Sequence, residues 1–125
     1  MIFKENKPIF LQIADRLCEE IMLGRYAEGE RIPGVREYAA TVEVNVNTVV
    51  RSFDHLQGKG VVQNKRGLGY FVSEGAVKLI YAMRRDEFLN NELPEVFHQM
   101  QLLGITLQEL DKLYQNYVEK NVSNQ

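Results

Sequence analysis

The sequence has one cysteine, Cys18, two histidines, His55 and His98, and no tryptophan. A lone cysteine cannot close an internal disulfide, and two distant histidines give no ligand spacing for zinc, so no structural metal site is expected. Long apolar runs are missing as well: nothing approaches the roughly 18 consecutive apolar residues that a membrane-spanning helix needs. The start, MIFKENKPIF, lacks the basic residues, long apolar centre and small-residue cleavage site of a secretory signal, so the expected location is the cytoplasm. Nor is there a basic excess, the net charge being −2. As a sum this argues mildly against nucleic acid, because phosphate binding ordinarily shows as surplus lysine and arginine. Catalytic patterns are also absent. No histidine stands in a known pattern with serine or cysteine, no phosphate-cradling GxxxxGK occurs, and the paired acids fall on helix surfaces. Neither an enzyme nor a cofactor is expected.

What the chain does have is 125 residues, 45% of them hydrophobic and 26% charged, the composition of one small soluble domain or a very small domain with an appendage. Its charge is unevenly placed. Residues 1–74 carry ten Lys+Arg and ten Asp+Glu, whereas 75–125 carry five and seven. Within 45–70 the charged residues are Arg51, Asp54, Lys59, Lys65 and Arg66, a local net +3 in a chain that is otherwise negative.

Hydrophobic periodicity orders the first half. Pro8 suits a first helical turn, and Ile13, Leu17 and Ile21 then recur every four positions until Gly24, which predicts a first helix with one apolar stripe. After a loop punctuated by Gly29, Pro33 and Gly34, a shorter stripe of Val35, Tyr38, Ala39 and Val42 predicts a second helix. Gly34 is its N-cap, and Glu37 supplies half of a capping box. The stretch VNVNTVVRSF at 44–53 is rich in β-branched residues, yet Val49, Phe53 and Leu56 share a face only at helical spacing. Asn45 is a good N-cap for a third helix reaching Gln57 or Gly58, with Asn47, Thr48 and Arg51 on its polar side. Two short helices joined through TVEV form a helix-turn-helix, whose second helix is the one that enters a major groove.

Beyond Gly60, Val61–Gln63 and Tyr70–Val72 are β-prone runs around a basic turn, which predicts a hairpin. Gly67 and Gly69 allow positive φ there, and Lys65 and Arg66 place charge at the tip. Such a basic hairpin directly after a helix-turn-helix is a wing that lies along phosphates or reaches a minor groove. The last 50 or so residues look helical. They carry Ile80, Tyr81 and Phe88, a break near Pro94, then Val96, Phe97, Met100 and Leu103 before Gly104. The capping box Thr106–Glu109 then precedes Leu110, Leu113 and Tyr114. So few helices cannot bury that much apolar surface within one chain, so a homodimer through this segment is expected. The fold class is therefore mainly α with a small β-hairpin. A winged helix-turn-helix over 1–74 is followed by a helical dimerisation segment over 75–120 and a frayed tail over 121–125.

With PIFLQIADRLCEEIMLGRYAEGE before it, RIPGVREYAATVEVNVNTVVRSFDHLQGKGVVQNKRGLGYFV resembles the DNA-binding domain of GntR-family bacterial transcription regulators across residues 8–72. The short helical remainder resembles the YtrA subfamily, since the effector domains of other GntR branches do not fit in about 50 residues. The resemblance implies a homodimeric repressor-like regulator of double-stranded DNA, often of operons encoding ABC transporters. It also implies that Arg36 contacts DNA from the start of the second helix, that Asn47, Thr48 and Arg51 belong to the recognition helix, and that Gly67 and Gly69 are wing glycines. The expected DNA-binding set is thus Arg36, Asn45, Asn47, Thr48, Arg51, Lys65, Arg66, Gly67 and Gly69, with Arg31 a further candidate for phosphate. Three positions depart from the family's pattern. Gly34 replaces a capping serine, Val46 stands where arginine or proline is usual, and Glu43 stands where glycine is frequent, at a cost of about 1 kcal/mol if φ is positive there. A winged helix used for protein assembly is the rival from another class.

Overall fold

The computed structural model describes residues 6–123. Its chain divides into two compact units, one running through Met83 and the other starting at Arg84. In the first, α1 (Ile9–Met22), α2 (Val35–Val42) and α3 (Val46–Gly58) precede a hairpin of β1 (Val62–Lys65) and β2 (Gly69–Val72). Helix α4 (Ala76–Glu87) follows; a π-helical segment (Phe88–Glu92), α5 (Leu93–Leu103) and α6 (Leu107–Ser123) complete the chain.

The predicted helical stripes are the ones that pack. Ile13, Leu17 and Ile21 of α1, Tyr38 and Val42 of α2, and Val49, Phe53 and Leu56 of α3 form a core with Val61, Val62 and Val72 at the base of the hairpin. Pro8 stands one position earlier than expected, as N-cap of α1 in extended backbone at φ −55° and ψ 141°. The strands pair antiparallel with Lys65 opposite Gly69, so β1 runs further toward the tip than the apolar run suggested. Leu68 N–H closes the turn on the Lys65 carbonyl at 2.8 Å. A third, very short edge joins the hairpin: Arg31 pairs with Phe71, and Ile32 N–H donates to the Tyr70 carbonyl at 2.9 Å. No apolar alternation announces that edge.

One buried polar pair sits in the helical core. Tyr38 is 1% exposed and donates its hydroxyl to the Glu20 carboxylate, which Arg25 also approaches at 3.4 Å. Burial, and then the Glu20 hydrogen bond, hold the Tyr38 phenol far above its usual range.

Helix α4 corrects two expectations. Ala76 and Ile80 are completely buried in the first unit's core, which therefore extends past the boundary expected at residue 74. Ile80, expected in the dimerisation set, is a core residue, because a side chain without exposed area in the single chain has nothing to offer a partner. Two N–H groups at the start of α4 are capped from afar. Glu28 accepts from Gly75 N–H at 2.7 Å and from Val77 N–H at 3.1 Å, which satisfies donors that no carbonyl within the helix reaches. These two bonds hold the Glu28 carboxyl below its ordinary value of 4.5. A folded value below the unfolded one gives stability that is present above the unfolded value and lost as pH falls through the folded one. Urea unfolding is therefore expected to show Glu28→Gln less stable than wild type at pH 7, with the gap closing as pH drops below about 4.5. A gap constant with pH would show that Glu28's charge is not what caps α4.

The second unit has helices but no core. Among its described residues none is fully buried, and Met100 and Leu110 are half-buried. The expected break or kink near Pro94 is a π-helical segment that continues into α5, where the wider turn before Pro94 accommodates a residue with no N–H to donate. Thr106 Oγ1 accepts from Glu109 N–H at 3.1 Å, the expected cap of α6. Helix α6 extends to Ser123, beyond the point where fraying was expected; 124 and 125 lie outside the described residues.

Candidate nucleic-acid interface

The interface is built on two helices and a turn. Helix α2 starts at Gly34, which gives no side-chain cap, and leaves Arg36 exposed in its first turn. It ends at Glu43, whose φ of 58° and ψ of 51° place it in the left-handed region. That geometry brings Val44 N–H to the Ala39 carbonyl at 3.1 Å and turns the chain into α3. Glu43 is the one non-glycine residue with positive φ among those described, so the departure from glycine falls where glycine is favoured. Glu43→Gly is expected to raise stability by about 0.5–1 kcal/mol, read as a higher urea midpoint with unchanged slope. A lower midpoint would mean that the glutamate side chain compensates its backbone.

Helix α3 opens as its sequence dictates. The Asn45 side-chain oxygen accepts from Asn47 N–H at 2.8 Å, so this part of Asn45 is committed to capping and its amide nitrogen is what it can turn toward DNA. Val46 rests half-buried against the core, so the residue that departs from the family pattern serves packing. Asn47 and Arg51 are exposed, Thr48 is half-buried, and Val49 and Phe53 are buried beneath them. Arg51 does not stand alone: its guanidinium carbon lies 4.2 Å from the centre of the Phe10 ring, which α1 supplies.

In the wing, Lys65 Nζ lies 4.5 Å from the centre of the Phe71 ring, while Arg66 is exposed in the turn. Gly67 and Gly69 have φ of 78° and 111°. At Gly69 the Arg31 guanidinium lies 2.9 Å from where a Cβ would stand, but that flexible side chain can move aside, so it is the positive φ that calls for glycine. The backbone pairing of Arg31 with Phe71 places Arg31 beside the wing. A helix-turn-helix with its polar recognition face outward, beside a basic wing, is an arrangement for binding duplex DNA.

The family profile of the bacterial regulatory proteins of the gntR family matches residues 10–72, half of the chain. The chain belongs to the GntR family. It is a DNA-binding transcription regulator, and its relatives are regulators rather than enzymes. The HTH-type transcriptional regulator YhcF of Bacillus subtilis is 34% identical over 108 residues, covering 86% of this chain and 88% of YhcF. The HTH-type transcriptional repressor YtrA of the same species is 27% identical, covering 86% of this chain and 82% of YtrA. A crystal structure of a GntR-family regulator from Bacteroides thetaiotaomicron superposes with a TM-score of 0.75 at 48% identity, over 90% of this chain and 98% of that one. No helix among this GntR protein's described residues is long and apolar enough to cross a membrane.

The sequence points to Arg51 and Lys65 as candidate contacts but not to the aromatic rings on which they lie. For Lys65 a signal existed, because once Gln63 is paired with Phe71, Lys65 and Phe71 are diagonal neighbours on the hairpin. For Arg51 there was none, since Phe10 comes from a different helix.

Proposed function

We propose that this GntR-family protein is a homodimeric repressor of the YtrA type that occupies an inverted-repeat operator. Its two copies of α3 enter successive major grooves about 34 Å apart. The observation that carries this reading is the second unit, which exposes Phe97, Leu103, Leu113 and Tyr114 at half or more of their surface and buries nothing among its described residues. Helices without a core gain too little burial to offset their ordering entropy, and a second copy of the same unit supplies the missing partner surface. Similarity to the repressor YtrA supports the sign of regulation, and occupancy of an operator suffices for it. Within each half-site, Arg51 and Asn47 of α3 read bases, while Arg36, Lys65 and Arg66 bind phosphates.

Selection of bound duplexes from a random DNA pool, with wild type and Arg51→Ala at two salt concentrations, tests the reading. Wild type is expected to recover a palindrome, and Arg51→Ala to bind it about 10- to 100-fold more weakly, as a bidentate contact to guanine requires. Its affinity should fall steeply with salt. Enrichment of a single, non-repeated half-site would overturn the dimeric arrangement, and no enrichment at low salt would overturn the operator reading itself.

A further inference from the structure

We propose that Phe10 is a positioning residue for DNA readout, its ring holding the Arg51 guanidinium ready for a base edge before DNA arrives. This rests on the reading of α3 as the recognition helix and assigns part of its specificity to α1. The stack is close, with the guanidinium carbon 4.2 Å from the ring centre. A guanidinium that lies over a ring uses its face, and its N–H donors radiate in its own plane, so stacking and bidentate recognition are compatible. Arg51 is exposed, which leaves it open to an arriving duplex.

The residue that carries the ring is tied to α3. Ser52, the residue after Arg51, is fully buried and donates its hydroxyl to the Phe10 carbonyl at 2.7 Å, with the Thr48 carbonyl also within 3.0 Å. His55, one turn beyond Arg51, packs edge-on against the same ring, with 6.1 Å between centroids and 77° between planes. Ser52 thus ties the backbone of Phe10 to α3, and the ring meets Arg51 and His55, one turn apart on that same helix, so the ring and the arginine that it supports are held to one element. An unsupported arginine on a helix surface loses rotamer freedom when it docks on a base. A stacked one has lost part of it already, and the cost of binding falls accordingly.

The test is a double-mutant cycle on the selected operator, with Phe10→Leu, which keeps apolar bulk and removes the ring face, and Phe10→Tyr, which keeps it. Phe10→Leu is expected to weaken specific binding about three- to tenfold with non-specific binding and its salt dependence unchanged, while Phe10→Tyr stays within about twofold. In an Arg51→Ala background, Phe10→Leu is expected to change affinity less than about twofold, because the residue that it positions is gone. Unchanged or tighter specific binding by Phe10→Leu would overturn the inference and show that the stack does not aid readout. An equal loss in both backgrounds would overturn it too, showing that the ring acts through the fold. If Arg51→Ala with Phe10 intact binds as wild type does, the role given to Arg51 fails and the inference falls with it, a result visible without any change at Phe10.

Discussion

Replacing Phe97 and Leu113 together by aspartate is expected to convert the protein to a monomer at micromolar concentration and to weaken operator binding by about 10²–10⁴-fold. Phe97 is 50% exposed in α5 and Leu113 57% exposed in α6, so neither substitution empties a core, and the winged helix lies in the other unit. If a second copy covers these side chains, two carboxylates must be stripped of water in an apolar contact, a cost that the interface cannot meet. The loss of DNA affinity then follows without touching a DNA contact, because two tethered half-site readers bind as one unit and two free ones do not. Sedimentation equilibrium reads the first effect and an operator-binding titration the second. A double variant that remains dimeric would place the partner surface elsewhere, and a wild type that sediments as a monomer while binding the palindrome tightly would remove the premise.

The parts of the fold legible in the sequence are those where one local rule suffices. The stripe of Val49, Phe53 and Leu56 together with the Asn45 cap announces α3 despite its β-branched residues, because burying that face outweighs their modest helix penalty. Thr106 and Glu109 announce α6, and Pro94 the interruption before α5. Glu43's left-handed backbone was foreseeable as a conditional cost and is realised at φ 58°. What escaped depends on contacts between distant residues. The Glu28 cap spans 47 positions to Gly75, and no local pattern distinguishes this glutamate from its neighbour Glu30, which closes only its own loop on Ala27 N–H. Ile80 shows the same limit from the apolar side. A helical stripe shows that a residue will be buried but not by what, and α4 begins by packing on the winged helix, so Ile80 belongs to that core.

Phe53→Ala is expected to cost about 3–5 kcal/mol, the largest loss of stability from any single truncation on the recognition helix. The ring has no exposed surface and is held on two sides, edge-on against Tyr70 at 4.9 Å between centroids and tilted against Tyr38 at 5.9 Å. It therefore joins α3 to both α2 and the wing, and truncation leaves a cavity bounded by three separate elements that cannot all collapse onto it. Against a typical domain stability of about 5–15 kcal/mol this leaves little in reserve, and the melting temperature should fall by tens of degrees or the cooperative transition vanish. Phe53→Leu, which keeps most of the volume, should cost less than half as much. The functional consequence separates packing from reading. Where Phe53→Ala still folds at low temperature, Arg51 and Asn47 remain on the outer face of α3, but that helix is no longer seated against Tyr70. Specific binding should then weaken more than non-specific binding, because groove readout depends on the angle between helix and wing whereas phosphate attraction does not. Urea unfolding followed by far-ultraviolet circular dichroism measures the first quantity, and a loss under about 1 kcal/mol would show that the pocket closes over the missing ring.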